Sequence, residues 1–206
     1  MISFLQYNIT PGGLLFADSF PTGPLTDRWE ISGGEWKAED GVLYGTFRGN
    51  GGGLIYSLQQ FPGDILLDYY GTMISPCDND LNFTFRADGW DYKNNDASIG
   101  YIGGLNGWWC GHAGLEKYPG CYLRSLSGFH AEADREYHIQ TGIVESTCFL
   151  VVDGQLIVTM SDPDPIVAEN CNRVGLGTYC SQIKIRDFKV YRPNVEHTNR
   201  FYTPNF

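Results

Sequence analysis

The chain has 206 residues, of which 42% are hydrophobic and 18% charged, so it can bury one large core and is not a disordered protein. Its formal net charge of −10 would repel a nucleic acid, and we expect no nucleic-acid partner. The sequence has no apolar run of about 18 residues and no basic, apolar leader, which predicts a cytoplasmic protein without a membrane partner.

Short runs of Ile, Val, Leu, Phe and Tyr, separated by glycine and proline, predict a chain made almost entirely of β-strands. In chain order, the predicted strands are Leu14–Ser19, Glu35–Ala38, Val42–Phe47, Leu54–Tyr56, Ile65–Met73, Leu81–Arg86, Ala97–Gly103, Tyr137–Ile143, Cys148–Val152, Gln155–Met160, Arg173–Thr178 and Gln182–Tyr191. We therefore predict one all-β domain over residues 1–192, a two-sheet antiparallel jelly-roll β-sandwich, and a C-terminal tail over residues 193–206.

Two segments give detailed predictions of strand geometry. Asp153-Gly154 lies between two apolar runs and favours positive φ at both turn positions, which predicts a tight hairpin. The last run, Ile183–Tyr191, alternates over nine positions without giving a cleanly apolar face. That run must therefore twist, contain a bulge or be buried on both sides.

The segment from Asp88 to Ser127 is rich in aromatic residues and glycine but poor in branched aliphatic residues. This composition predicts a long surface excursion that builds a site. Aromatic faces stack on the C–H patches of sugar rings, so the segment indicates an aromatic-lined groove for an oligosaccharide. The alternative for each ring is a place in the core. The candidate stacking residues are Trp90, Tyr92, Trp108, Trp109 and Tyr118.

A polar cluster in and after this segment could perform acid–base chemistry on a sugar, with Arg holding a carboxylate or hydroxyl. The candidate catalytic residues are His112, Glu116, Tyr122, Arg124 and His130, with His138 as a further proton carrier. The alternative is a set of ordinary loop histidines and a solvated Arg. Arg86, at the end of a predicted strand, is a candidate substrate-binding residue.

The paired carboxylates of a glycosidase, in the pattern Glu-x-Asp-x-x-Glu, are absent from the sequence. Asp78 and Asp80 flank Asn79 at a strand entry, where short polar residues cap turns more often than they bind calcium. Residue supply therefore favours β-elimination over hydrolysis, because elimination from a uronate needs Arg or His and a proton acceptor but no carboxylate pair.

Six cysteines occur without a CxxC pair or zinc spacing, and we expect reduced thiols rather than a disulfide framework in a reducing cytoplasm. A secreted chain would reverse that expectation. The cysteines are Cys77, Cys110, Cys121, Cys148, Cys171 and Cys180.

The order of several motifs resembles that of the concanavalin A-like lectin/glucanase superfamily. These motifs are Leu15–Phe20, Trp36–Gly45, Asp80–Arg86, the Val152-Asp-Gly-Gln hairpin, Arg173–Gly177 and Ile185–Tyr191. Within the superfamily, Leu123–His130 resembles the YesU-like galectin-fold family, which has no assigned reaction and is associated with degradation of plant cell-wall polysaccharides. The resemblance implies Arg124 and His130 as site residues. It also implies either a structural calcium ion held by Asp187 or an inward Asp187 bonded to backbone amides without a metal.

Three hypotheses about function follow. The first is an enzyme on plant cell-wall oligosaccharides, including those that contain uronate, with lyase preferred over glycoside hydrolase and no cofactor required. The second is a noncatalytic, lectin-like carbohydrate-binding module, for which the aromatic groove suffices. The third is a structural or partner-binding sandwich, which leaves the aromatic segment unexplained.

Overall fold

The computed structural model describes residues 1–48, 52–91, 96–108, 111–120, 122–167, 169 and 171–198, with the backbone alone for residues 90, 91, 96 and 97. The strands are β1 Ile2–Phe4, β2 Tyr7–Asp18, β3 Trp29–Ile31, β4 Glu35–Glu39, β5 Val42–Thr46, β6 Gly52–Ser57, β7 Ile65–Met73, β8 Leu81–Ala87, β9 Trp90–Asp91, β10 Asp96–Ala97, β11 Gly100–Trp108, β12 His112–Tyr118, β13 Arg124–Ser127, β14 Tyr137–Val144, β15 Thr147–Val152, β16 Gln155–Ser161, β17 Arg173–Tyr179 and β18 Gln182–His197. Within these ranges, no helix has the length and apolar character needed to cross a bilayer.

The strands form two large antiparallel sheets and one short hairpin, as the sequence predicted. The nine-stranded sheet has the order β1-β2-β18-β7-β14-β15-β16, and β5 pairs with β18 and β4 with β5. The seven-stranded sheet has the order β13-β12-β11-β8-β17-β6-β3, while β9 and β10 pair with each other. The two large sheets pack face to face as a jelly-roll β-sandwich.

The core lies between the two sheets and follows the alternation of side chains along each strand. In β8, Phe83 and Phe85 point into the core, and in β14 Tyr137 and Ile139 face them from the other sheet. Trp29 closes one edge of this cluster and is almost fully buried. Period-two burial of aromatic and branched side chains is therefore what holds the sandwich together.

The two detailed strand predictions are confirmed. Val152 pairs with Gln155 across the turn, and Asp153 and Gly154 have φ values of 50° and 80°. In β18, the pairing with β7 shifts between Arg186 and Lys189, and Asp187 has a φ of 54°. This bulge turns Phe188 into the core beside Ile185, which resolves the mixed pattern.

The sequence predicted a long surface excursion from Asp88 to Ser127, and this prediction is wrong for most of residues 100–127, which form β-strands. Strands β11, β12 and β13 lie there and form one side of the seven-stranded sheet. Glycine suits these strands because neighbouring rings and aliphatic groups occupy the space of a side chain. A Cβ on Gly103, for example, would lie 2.6 Å from both Phe83 and Leu115.

The last strand continues past the predicted domain end at residue 192. Strand β18 runs to His197, and its residues Asn194–His197 pair with Tyr7–Thr10 of β2. Residues 193–197 are therefore part of the sheet, and residues 199–206 lie outside the described chain.

Several connections between the two sheets meet at one end of the sandwich, which we call the crossover end. The chain after β5 bonds there to the β17–β18 turn, with Phe47 N donating to Ser181 O at 3.1 Å. The β7–β8 connection meets β11 at the same end, where Asn106 Nδ2 donates to Asp78 O at 2.6 Å and to Ala131 O at 2.7 Å. Polar residues from distant parts of the sequence are thereby brought together.

Candidate functional site

On the outer face of the seven-stranded sheet, opposite the core, one row of paired residues is poor in side chains. Gly177 pairs with Asn82, Asn82 with Gly104, and Gly104 with Gly114, so four successive strands contribute one cross-strand row. Three of these four positions lack a side chain. The three glycines are buried under neighbouring side chains, and Asn82 is the only one of the four residues with a polar side chain.

The next row on this face carries ion pairs at both ends. Arg124 Nε lies 3.3 Å from Glu116 Oε2, across paired positions of β13 and β12. At the other end, Arg173 Nη1 lies 2.6 Å from Glu30 Oε2, and its guanidinium lies 5.0 Å from the centroid of the Tyr56 ring. Each guanidinium on this row thus has a carboxylate beside it.

Asp80 is held at the crossover end by two amide groups. Asn82 Nδ2 donates to Asp80 Oδ1 at 3.1 Å, and Asn79 Nδ2 donates to Oδ2 at 2.9 Å. Ser181 Oγ donates to Asp80 O at 3.0 Å, which fixes the backbone. Asp80 also has a φ of 56°, a conformation that Asp tolerates because its short side chain bonds locally.

The carboxylate of Asp80 is buried without a cation. Its residue is 8% exposed, and among the described residues no Lys, Arg or His lies within 4.0 Å of it. Burial raises the pKa of Asp80 from 3.8 to about 6, although the Asn82 and Asn79 amides oppose the shift. A buried carboxylate without a cation among the described residues is a candidate functional group.

Trp108 is the last residue of β11 and follows Gly107. A β-bulge between Gly104 and Trp108 changes the pairing with β12, so Trp108 pairs with His112. The indole covers Gly114: a Cβ there would lie 2.8 Å from Trp108 Cδ2. Trp108 stays partly exposed and packs against the apolar cluster of the outer face.

Gly107 lies against the Asp80 carboxylate and directly precedes Trp108 in the chain. It is exposed, and a Cβ at this position would overlap Asp80 Oδ1 and lie 3.3 Å from Asn82 Oδ1. The missing side chain therefore makes room for the Asp80 carboxylate, while Asn82 Oδ1 is buried. We call Asp80, Asn82, Gly107 and Trp108 the Asp80 site.

The five predicted catalytic residues fall into three places. His112 and His130 come together, with 6.0 Å between ring centroids, and His112 Nδ1 is buried without a hydrogen bond to any described group. Glu116 and Arg124 form one of the two ion pairs described on the outer face. Tyr122 is 97% exposed, outside β13.

The further proton carrier, His138, lies on the other sheet. Its Nε2 is 2.9 Å from Asp68 Oδ1, and its ring stacks on Tyr70 with 4.8 Å between centroids. Strand β14 belongs to the nine-stranded sheet, so His138 lies away from the cluster it was grouped with.

The predicted substrate-binding residues also lie in different parts of the structure. Trp108 and Tyr118 both pack against the apolar cluster of the outer face. Arg86 is buried, has a φ of 44°, and donates from Nη1 to Ile166 O at 3.0 Å, so its guanidinium holds a loop. Tyr92, Trp109 and the side chain of Trp90 lie outside the described residues.

The residues at Asp187 do not fit a calcium ion. The carboxylate accepts a hydrogen bond from the Arg186 guanidinium, so a positive charge already lies beside it, and the side chain is 46% exposed rather than turned inward. Among the described residues, no group of three or more His, Cys, Asp or Glu side chains could hold a metal ion.

A cavity of about 400 Å³ also lies at the crossover end. It is lined by Phe47, Arg48, Pro76, Cys77, Cys180, Ser181 and Gln182. Of the cysteines that the structure describes, Cys77, Cys148, Cys171 and Cys180 form no disulfide bond. Cys110 and Cys121 lie outside the described residues.

No protein-family model and no curated protein matches the chain. Among solved structures, it is similar to a protein of unknown function with a galectin-like fold from Bacillus subtilis, at 14% identity and a TM-score of 0.69, over 90% of this chain and 99% of that one. It is also similar to carbohydrate-binding module CBM66 from Bacillus subtilis, at 16% identity and a TM-score of 0.59, over 80% of this chain and 95% of that one. A third match is the carbohydrate recognition domain of Emp46p in its metal-free form, at 11% identity and a TM-score of 0.62, over 84% and 93% of the two chains. These likenesses show that the chain has a galectin-like, concanavalin A-like β-sandwich fold.

Proposed function

We propose that this chain binds carbohydrate at the Asp80 site without transforming it. The observation that carries the proposal is a buried, amide-held carboxylate beside an exposed glycine and a partly exposed indole. Sugars present hydroxyl donors along one edge and C–H groups on their faces, so Asp80 and Trp108 supply the two complementary surfaces. Two of the similar structures are named as carbohydrate-binding domains, which supports the same class of ligand.

Binding is favoured over turnover because three of the five predicted acid–base groups are either paired with each other or almost fully exposed. Glu116 and Arg124 are paired with each other, and Tyr122 is almost fully exposed. A general acid or base must reach the proton that it transfers, and a neutralised pair is a poor proton carrier. The plant cell-wall origin of the glycan, which the family resemblance implied, stays a prediction.

The test is titration of the pure protein with a panel of neutral and acidic plant and animal oligosaccharides. We expect heat of binding for some members, with no new reducing ends and no ultraviolet absorbance from a new double bond. Product formation by the wild-type protein would contradict the proposal and establish an enzyme.

Trp108→Ala should weaken binding about tenfold or more, because stacking on an aromatic ring contributes about 1 kcal/mol beyond its buried area. The matched control is Tyr44→Ala, since Tyr44 is 38% exposed and lies on the other sheet. The control should bind like the wild type. Equal affinity of wild type and Trp108→Ala would remove Trp108 from the site.

The second candidate is a lyase or hydrolase that uses His112 and His130. The 6.0 Å separation of their rings is the observation in its favour, because two imidazoles at this distance can contact the same substrate. The same panel decides between the candidates: an unsaturated product lost in His130→Ala would favour the lyase, and reducing ends alone a hydrolase.

A further inference from the structure

Two cysteines that are far apart in the sequence line the same cavity at the crossover end. Cys77 belongs to the β7–β8 connection and Cys180 to the β17–β18 turn, and both line the cavity of about 400 Å³. Cys180 is exposed and Cys77 is partly exposed, and neither forms a disulfide bond. Both cysteines are therefore open to a reagent that enters this cavity.

Hydrogen bonds on both sides of the cysteines hold the two segments against each other. On one side, Ile74 N donates to Gln182 O at 2.8 Å. On the other side, Asn79 Nδ2 donates to Tyr179 O at 3.1 Å. Each cysteine lies between the two bonded residues of its own segment. A disulfide bond needs Cα atoms about 4.4–6.8 Å apart, so it requires two segments that are held together in this way.

The other two described cysteines are poor competitors for an oxidant. Cys148 and Cys171 are 0% and 6% exposed, and burial raises the pKa of both thiols. The thiolate is the nucleophile in disulfide exchange, so a buried thiol with a raised pKa reacts slowly. Among the described cysteines, Cys77 and Cys180 are therefore the pair that can react.

The wall of the cavity also carries a positive charge. Arg48 is exposed and lines the cavity together with the two cysteines. A cation at this position favours the approach of an anionic reagent over short distances. Oxidised glutathione is an anionic disulfide of this kind.

We infer that Cys77 and Cys180 form a thiol pair that a small disulfide, such as oxidised glutathione, converts to an intramolecular disulfide bond. The thiolate of Cys180, the more exposed of the two, attacks one sulfur of oxidised glutathione and displaces a glutathione thiolate. Cys77, after losing its proton to solvent, attacks Cys180 Sγ in the mixed disulfide and displaces the second glutathione thiolate. Two protein thiols are thus oxidised, one glutathione disulfide is reduced, and the two released thiolates take up the two protons.

The first experiment treats the reduced full chain with oxidised glutathione at pH 8 and maps its peptides by mass spectrometry without reduction. We expect a Cys77–Cys180 cross-link in about half of the protein or more. In Cys77→Ser the second step is missing, so the peptide that contains Cys180 should keep its glutathione. Absence of the wild-type cross-link, or pairing of either cysteine with a different one, would overturn the inference.

The second experiment measures the melting temperature before and after the same treatment. The bond would close a loop of roughly 100 residues and restrict the unfolded chain, so we expect the wild-type Tm to rise by about 5 °C or more. Cys180→Ser is the matched control, because it cannot form the bond, and its Tm should change by less than about 1 °C. Equal shifts in the two proteins would show that another bond stabilises the chain and would contradict the assignment. Neither measurement uses a sugar, so both are independent of the proposed carbohydrate ligand.

Discussion

Asp18 and Asp80 are both buried carboxylates, but their surroundings differ. Asp18 receives three donors, from Arg28 Nη1 at 2.5 Å, Trp29 Nε1 at 2.8 Å and Phe20 N at 2.7 Å. Asp80 receives amide donors and no described cation. The charge of Asp18 is therefore part of the scaffold, whereas that of Asp80 has no described cation to balance it.

Asp18→Ala should destabilise the fold by about 3–5 kcal/mol, because it removes the buried partner of Arg28 and leaves the buried Trp29 indole nitrogen without its acceptor. Unfolding in urea measures the change. The control is Asp27→Ala, which removes the second carboxylate beside Arg28, an exposed group at 3.3 Å. That change should cost less than about 0.5 kcal/mol. Similar losses in the two variants would contradict the role assigned to Asp18.

Asp80 should lower stability at neutral pH. Its folded pKa of about 6 exceeds the ordinary value of 3.8, so the folded state binds more protons between these values. The free energy of unfolding contributed by this group therefore falls as pH rises from about 4 to 6, by up to about 3 kcal/mol.

Asp80→Asn removes this titration, so its free energy of unfolding relative to wild type should become more favourable by about 2–3 kcal/mol between pH 4 and pH 7.5. Urea unfolding at the two pH values measures it. Asp78→Asn, at an exposed neighbour, should show no such change. A pH-independent difference for Asp80→Asn would mean that its carboxyl titrates normally.

The sequence predicted part of this site and missed the rest for a physical reason. Trp108 was a candidate because of its aromatic surroundings, and it lies on the outer face. Asp80 was assigned to a turn, which is how an Asp-Asn-Asp strand entry commonly behaves. Its role depends on contacts between the β7–β8 connection and the bulge in β11, and periodicity cannot show contacts between segments so far apart.

At the scale of elements, β1 and β2 cover part of the outer face of the nine-stranded sheet. Phe4 stacks on Phe149 with 4.9 Å between ring centroids, and Ile2 and Ile9 join the same buried cluster. This second core explains why part of that face is apolar. The strand prediction missed β1 because its three residues are too few to show a period.

Phe4→Ala should destabilise the fold by about 3–4 kcal/mol, since it removes a buried ring and leaves a cavity over β15. The neighbouring Leu5→Ala is the control, because Leu5 is 55% exposed and its truncation should cost less than about 0.5 kcal/mol. Thermal unfolding followed by circular dichroism compares the two. A loss of less than about 1 kcal/mol in Phe4→Ala would show that β1 contributes little to stability.

Long strands with clear alternation were predicted well, and glycine-rich ones were not. The prediction for β7 matches at both ends, Ile65–Met73. Strands β12 and β13 were taken for loops, because Gly114 and its polar neighbours gave no apolar period. Their register comes from pairing with β11 and from the indole of Trp108, which are tertiary contacts.

At the scale of the whole molecule, the net charge of −10 and the local charge at Asp80 have the same sign. Both disfavour anionic ligands, although salt screens the long-range contribution over about 10 Å at 0.1 M ionic strength. A neutral glycan is indifferent to this field. The fold class and its two sheets follow from composition and periodicity, whereas the position of the proposed site follows only from how the strands pair.

The pairing of β2 with β18 has a mechanical consequence. Tyr7 lies opposite His197, and the pairing continues from there toward Asp18 and Phe188. Tension applied at Tyr7 and His197 would load the hydrogen bonds one pair at a time, because the two pulled ends are adjacent. The strands would separate by unzipping, which needs a lower force than pulling two strands apart in shear. This domain would therefore yield early under tension applied at these two residues.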